Sequence, residues 1–163
     1  MGEFSLLGMA EKLVLAEIAI HTAANAALER VAQKVEKTAK DEIGVYQDAI
    51  GPFDAWPELA QSTQDEREKL GFMPNDPLLR TGELRDSISH EVHDFEAVIG
   101  STSEIMEYQE FGTSRGIPPR PVIGPAAERN HDVILKELGG AVVAGLIGGD
   151  PIHPSLGYDR VVE

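Results

Sequence analysis

The 163-residue chain carries 28 acidic against 14 basic residues, a formal net charge of −14, which excludes a protein that grips nucleic acid through clustered Lys and Arg. It has no cysteine, so disulfides, thiolate metal sites and cysteine nucleophiles are excluded as well. With 42% hydrophobic residues but only 6% aromatic, the composition suits a single globular domain whose core rests on aliphatic side chains and alanine.

The charge is uneven along the chain. Residues 1–40 hold five acids and five bases, whereas residues 41–76 hold nine acids against Arg67 and Lys69. No apolar run is long enough to span a bilayer, and no basic region followed by an apolar run marks a signal peptide. The absence of cysteine fits a reducing cytosol.

From about Gly8 to Gly44 the spacing predicts a helix. Leu28, Val31, Val35 and Ala39 recur at three- and four-residue steps, and Ile43 follows four further on. The segment is long for a globular helix, and a break is expected near His21–Asn25. Such a helix, apolar along one face, needs a sheet or a neighbour to cover it.

Residues 45–79 change character. Gly51-Pro52, Pro57, Pro74 and Pro77 punctuate an acidic excursion, in which one short helix is expected over Ser62 to Leu70. Thr63 is a candidate N-cap with Glu66 three residues on, a capping-box pattern, and Gly71 ends the helix. The proline content and surplus charge predict weak self-packing and mobility.

A short helix is expected to start at Thr81-Gly82-Glu83-Leu84. Ile88, His90 and Val92 then alternate with Ser89 and Glu91 at strand period. A turn near His93-Asp94 leads to Val98-Ile99, so a hairpin is expected. Residues 103–111 read as a short helix carrying Ile105, Met106, Tyr108 and Phe111, with Tyr108 and Phe111 as its anchors on the sheet. Arg115 to Pro121 is a proline-rich loop. Pro125 suits a helix first turn, and a final helix is expected from there to Gly139 or Leu146. The tail from Gly148 reads as extended or flexible. The order predicts an α+β domain over 1–147, with a small antiparallel sheet packed against a long N-terminal helix and a C-terminal helix, and 148–163 as a tail.

Candidate chemistry is thin. His90 and His93, beside Glu91 and Asp94, allow a metal-assisted hydrolase reading. On a strand, however, positions 90 and 93 point to opposite faces, which favours polar hairpin residues. Glu107 and Glu110 would share a helix face, yet nothing marks a substrate pocket or a nucleophile. No phosphate loop is present. No enzyme activity, metal or cofactor is therefore expected. A small acidic binding module that mimics nucleic acid is a third class.

The informative feature is an ordered set of stretches: Pro77-Leu78-Leu79-Arg80-Thr81-Gly82-Glu83-Leu84-Arg85-Asp86-Ser87-Ile88, then Val98-Ile99-Gly100-Ser101, then Tyr108-Gln109-Glu110-Phe111-Gly112-Thr113, then Ile117-Pro118-Pro119-Arg120-Pro121-Val122-Ile123-Gly124-Pro125-Ala126. Over about residues 77–127 this set resembles the bacteriophage tail-completion and virion-morphogenesis proteins, a family of head–tail joining and neck components. Val122 and Ile123 depart from that family's usual aromatic-aliphatic pair. The Trp56-Pro57-Glu58-Leu59 segment is similar to one branch of it.

The resemblance implies a structural ring subunit of the phage neck, built in the host cytoplasm and carried in the virion. It implies a sixfold ring that meets the tail tube protein and head–tail connector or stopper proteins, passes double-stranded DNA without specific binding, and touches no membrane. The motif set leans to tail completion (a tail terminator), with a connector-side adaptor or stopper as the alternative. Family-motif residues expected to serve the fold or a ring interface are Leu79, Arg80, Thr81, Gly82, Leu84, Arg85, Ile88, Tyr108, Glu110, Phe111, Gly112, Thr113, Pro118, Pro119, Arg120 and Pro121. Gly82 and Gly112 are expected where a turn excludes a Cβ. Arg80, Arg85 and Arg120 are expected to pair with carboxylates. Glu91, Asp94 and Glu96 are candidate acids for the wall of a DNA channel.

Overall fold

The computed structural model describes residues 6–146; the tail expected from Gly148 lies outside the described residues. In chain order the elements are α1 (Leu6–Glu42), α2 (Gln61–Lys69), α3 (Glu83–Asp86), β1 (Ile88–His93), β2 (Glu96–Ser101), α4 (Glu104–Phe111), α5 (Ile123–Arg129) and α6 (His131–Leu146). The strands pair as one two-stranded antiparallel sheet, so the α+β expectation holds. No described helix is long and apolar enough to cross a membrane.

The described chain forms two compact units. One takes in residues 6–31, 92–97 and 132–146 of the described chain; the other is residues 32–91 and 98–131. In the first unit, α1 runs through His21–Asn25 without the expected break. Asn25 Nδ2 and His21 Nδ1 meet at 3.0 Å, one helical turn apart. Both residues hold the hairpin turn. The Phe95 amide donates to Asn25 Oδ1 at 3.2 Å, and the Phe95 ring stands edge-on to His21 at 4.5 Å between centroids. Asp94 and Phe95 make this turn with φ of 44° and 67°, a left-handed region that aspartate tolerates and phenylalanine disfavours. Further along, α6 crosses α1 so closely that a Cβ on Gly145 would stand 2.6 Å from the Ile20 Cα. Before that crossing α1 is uncovered: Leu6, Leu7, Met9, Leu13, Val14, Leu15 and Ile18 are each more than half exposed.

The second unit holds most of the core. Ala32, Val35 and Ala39 present the buried stripe of α1, followed by Ile43 beyond its end, and Ile88, Met106, Val122 and Ala126 close over them in the same buried set. On β1 the alternation is as expected, with Ile88 buried, His90 half-buried, and Ser89 and Glu91 exposed. His90 Nδ1 meets Glu36 Oε2 on α1, which fixes the strand to the helix. Glu36 also accepts from Lys40; these two bonds, Lys40 first, hold its carboxyl below the usual range.

Two local expectations are corrected. Helix α2 starts at Gln61, so Thr63 lies inside it and its amide donates to the Ala60 carbonyl at 2.8 Å. The N-cap is Ala60, without a side-chain bond, because the chain turns into the helix two residues before Thr63. The final helix is two helices. Asn130, 4% exposed, ends α5 and donates from Nδ2 to Thr38 Oγ1 at 2.9 Å and to the Ala126 carbonyl at 2.7 Å. That side chain satisfies a carbonyl at the break and ties it to α1.

The excursion is held more firmly than its composition suggests. Trp56 is 5% exposed and its Nε1 donates to the Pro121 carbonyl at 2.9 Å. Pro77 is fully buried, and its carbonyl accepts from the Gly44 amide at 2.8 Å. The Phe53 ring lies on Gly124, where a Cβ would come within 2.3 Å of it. Only α2 fits the expectation of weak packing, since it buries no residue.

Candidate functional site

Three of the four motif stretches contribute to one groove of about 1150 Å³ in the second unit. Leu78 and the segment 80–84 form one wall, Ile105 and Gln109 of α4 another, and Ile117, Pro118 and Arg120 a third, while Arg67 and Phe72 reach in from the excursion. The bent backbone makes this convergence possible. Leu78 adopts φ 61°, an uncommon conformation for leucine that persists only where the surroundings enforce it. Gly82 turns into α3 with φ 91°. Gly112 leaves α4 with φ 70°, and a Cβ there would stand 2.7 Å from the Ile117 carbonyl oxygen. The glycine expectation therefore holds at both positions.

The arginines behave differently from expectation. Arg120, 5% exposed, does not pair with a carboxylate. Its Nε donates to the Pro57 carbonyl at 3.1 Å, and its Nη2 to Pro57 and Glu58 carbonyls at 2.8 and 3.1 Å. Burial lowers its pKa, and the nearby Arg67 charge acts in the same direction. A carbonyl pair suits a buried guanidinium here because the excursion passes with its backbone, not its acids, toward the proline loop. Arg67 Nη1 likewise donates to the Asp76 and Leu79 carbonyls, at 2.5 and 3.0 Å. Arg80 lies 5.0 Å over the Phe72 ring centre, a cation–π arrangement. Of the three motif arginines, Arg85 alone meets a carboxylate among the described residues, Asp86 at 3.2 Å, in the open.

The remaining motif residues fall into place around these. Leu79 packs on Gly44, whose added Cβ would stand 3.0 Å from it. Thr81 Oγ1 bonds Glu83 Oε2 at 3.0 Å. Leu84 lines the groove, while Ile88 is 1% exposed in the core. Glu110 Oε1 accepts from the Val122 and Ile123 amides at 2.9 and 2.7 Å and so caps α5 from α4. Thr113 closes the loop, its amide donating to the Ile117 carbonyl and its Oγ1 accepting from the Ile117 amide. Pro118 lines the groove, Pro119 packs on Gly112, and Pro121 receives the Trp56 bond.

Tyr108 and Phe111 are not anchors. They are 48% and 81% exposed, and Met106 is the α4 residue that is buried. The stripe that faces inward runs through Met106 and Gln109, one position later than the Ile105 and Tyr108 spacing.

His90 and His93 point apart. The His90 side chain is 17% exposed against Glu36, whereas His93 is 87% exposed with Asp94 Oδ2 at 3.0 Å. Among the described residues no group of three His, Asp or Glu side chains is arranged to hold a metal ion. Glu91, Asp94 and Glu96 are all exposed; Asp94 also stands 3.9 Å from His21.

Sequence reasoning missed Glu42. This carboxyl is 4% exposed at the end of α1. Its Oε1 accepts from Arg129 Nη1 at 2.8 Å, while its Oε2 has no hydrogen-bond partner. Burial, with some repulsion from Glu110, pushes its pKa up to about 7 against the pull of Arg129. An acid falling on the apolar stripe next to Ile43 was the available signal.

Comparison with protein families, with curated proteins and with solved structures finds no match.

Proposed function

We propose that this chain is a structural, non-enzymatic ring subunit of the neck of a long-tailed bacteriophage, on the tail-completion side of the head–tail joint. One observation supports the reading above the others. The stretches that resemble the tail-completion family are scattered over some 40 residues, yet three of the four contribute to one groove built from turns, stiff prolines and arginines. A fold that needed these residues only for its own stability would bury them. Here Arg80 stays exposed, as do Tyr108, Phe111 and Ile117, which suits a surface that meets other subunits.

The contact in such a ring is heterologous, one patch against a different patch, and the ring closes when the rotation permits. The partners under this reading are further copies of the chain, the tail tube protein and the connector or stopper proteins, with double-stranded DNA passing through. Mass photometry and negative-stain imaging of the purified protein, alone and with purified tails, test it. Rings are expected, alone or seated on tail ends. Monomers under every condition, with no density added to tails, would count against the neck reading.

A further inference from the structure

The groove sets three arginines against two carboxylates, so it keeps a net positive charge in an acidic protein. Arg67, Arg80 and Arg120 line it, and none of them forms an ion pair with a carboxylate among the described residues. Arg120 is the sharpest case. It is 5% exposed, its Nε and Nη2 are spent on the Pro57 and Glu58 carbonyls, and its Nη1 donates to no group among the described residues. In a protein with twice as many acids as bases, three arginines without a carboxylate partner in one groove leave N–H donors to spare for one. A guanidinium is a planar fork that matches a carboxylate bidentately. Beside the arginines, Ile105 and Ile117 are 56% and 40% exposed, which adds aliphatic surface. Leu78 holds the wall in its left-handed conformation, a cost kept where a surface must be preorganised.

We propose that this groove receives an extended, carboxylate-bearing segment of a second copy of the chain. The inference rests on the ring reading and names the acceptor half of its contact. The charge argument selects the occupant. Each copy carries a net charge of −14, so copies repel except where carboxylates of one meet arginines of the next. Glu58 and Glu83 also border the groove, and they limit it to a segment with few charges. A continuous polyanion such as duplex DNA would meet both. The donor patch differs from the acceptor patch, as head-to-tail closure requires.

The test uses Arg80, which is exposed and stacks only on Phe72. In Arg80→Lys protein the charge stays and an amine is installed that a carbodiimide can couple to a carboxylate. Isotopically heavy and light copies of this variant are mixed, assembled, on tails if needed, and crosslinked. Heavy–light peptides joining position 80 to an Asp or Glu are the expected result. Rings in the mass photometer with crosslinks at position 80 only within one copy, or absent, overturn this inference and leave the ring reading standing. Monomers with and without tails remove the ring reading and the inference together. As a second measurement, Arg80→Gln weakens self-association by at least about tenfold, the scale of losing one partner of an interfacial charge pair, at an unchanged melting temperature. Equal association of Arg80→Gln and the parent protein refutes it. So does binding of a short duplex that Arg80→Gln abolishes, because the groove is then a phosphate site.

Discussion

Glu42 and Arg120 show two ways of burying a charge. Arg120 gives three hydrogen bonds to two carbonyls and so stitches the proline loop to the excursion. Arg120→Gln strands those carbonyls and is expected to cost roughly 2–4 kcal/mol; Arg120→Lys recovers only part, since an ammonium is not a fork. Urea unfolding measures both. Glu42 is held less well. Its folded pKa of about 7 lies above its ordinary value of 4.5, so between those values the folded state binds more protons than the unfolded state. Stability from this group therefore falls as pH rises from about 4.5 to about 7, then stays low. Glu42→Gln keeps an acceptor for Arg129 and removes that slope. The variant is expected to exceed the parent by up to about 3 kcal/mol at pH 8 and to match it near pH 4.5. Parallel pH profiles for the two proteins would refute this account.

Among the elements, those with strong periodicity were legible and those set by distant contacts were not. The stripe Val31, Val35, Ala39 reports α1 correctly, and the alternation of Ile88, His90 and Val92 reports β1, because both patterns follow from which face is covered. Thr63 misled because a capping pattern is local, whereas the entry angle of α2 is set by the Trp56 and Tyr46 contacts of the chain before it; the Tyr46 hydroxyl accepts from the Leu59 amide at 3.0 Å. The break at Asn130 has no glycine or proline to announce it, since its cause is Thr38, 92 positions away. The groove was half legible: resemblance supplied its residues, but not that Arg120 would choose carbonyls or that Met106 would replace the aromatic anchors. The excursion now divides into firm and loose parts. Hydrogen exchange is expected to be fast along α2, which buries nothing, and slow at Trp56 and Gly44, whose amides are bonded to Gln47 and Pro77 carbonyls. Trypsin should cut first at Lys69, which is exposed, and not at Arg67, whose guanidinium is bonded to two carbonyls. Uniform protection from 45 to 79 would contradict this division.

For the whole molecule, the neck reading makes the distribution of charge a matter of transport. A duplex passing an axis slows where basic groups neutralise its phosphates, and repulsion from acids reaches only about 8–10 Å at physiological salt. Acids therefore matter only where they line the passage. Glu91 and Glu96 are exposed on the hairpin and are the better probes, because Asp94 is engaged with His93 and His21. Virions carrying Glu91→Lys and Glu96→Lys together are expected to assemble normally and to release DNA more slowly, most of all at low salt. Ejection at the parent rate would place these acids away from the passage.

The hairpin turn has a consequence for the order of folding. Phe95 holds a left-handed conformation that its own side chain disfavours, and the stabilising groups, His21 and Asn25, lie some 70 residues upstream. The contact that offsets the Phe95 cost needs a long loop to close first, so the turn gains that stabilisation late. α1 must therefore be standing before the hairpin gains from closing. Phe95→Ala, which removes the ring but keeps the conformational cost, should speed unfolding while leaving the refolding rate nearly unchanged, the signature of a contact made after the barrier. Refolding slowed in proportion to the lost stability would instead put the turn at the start of folding.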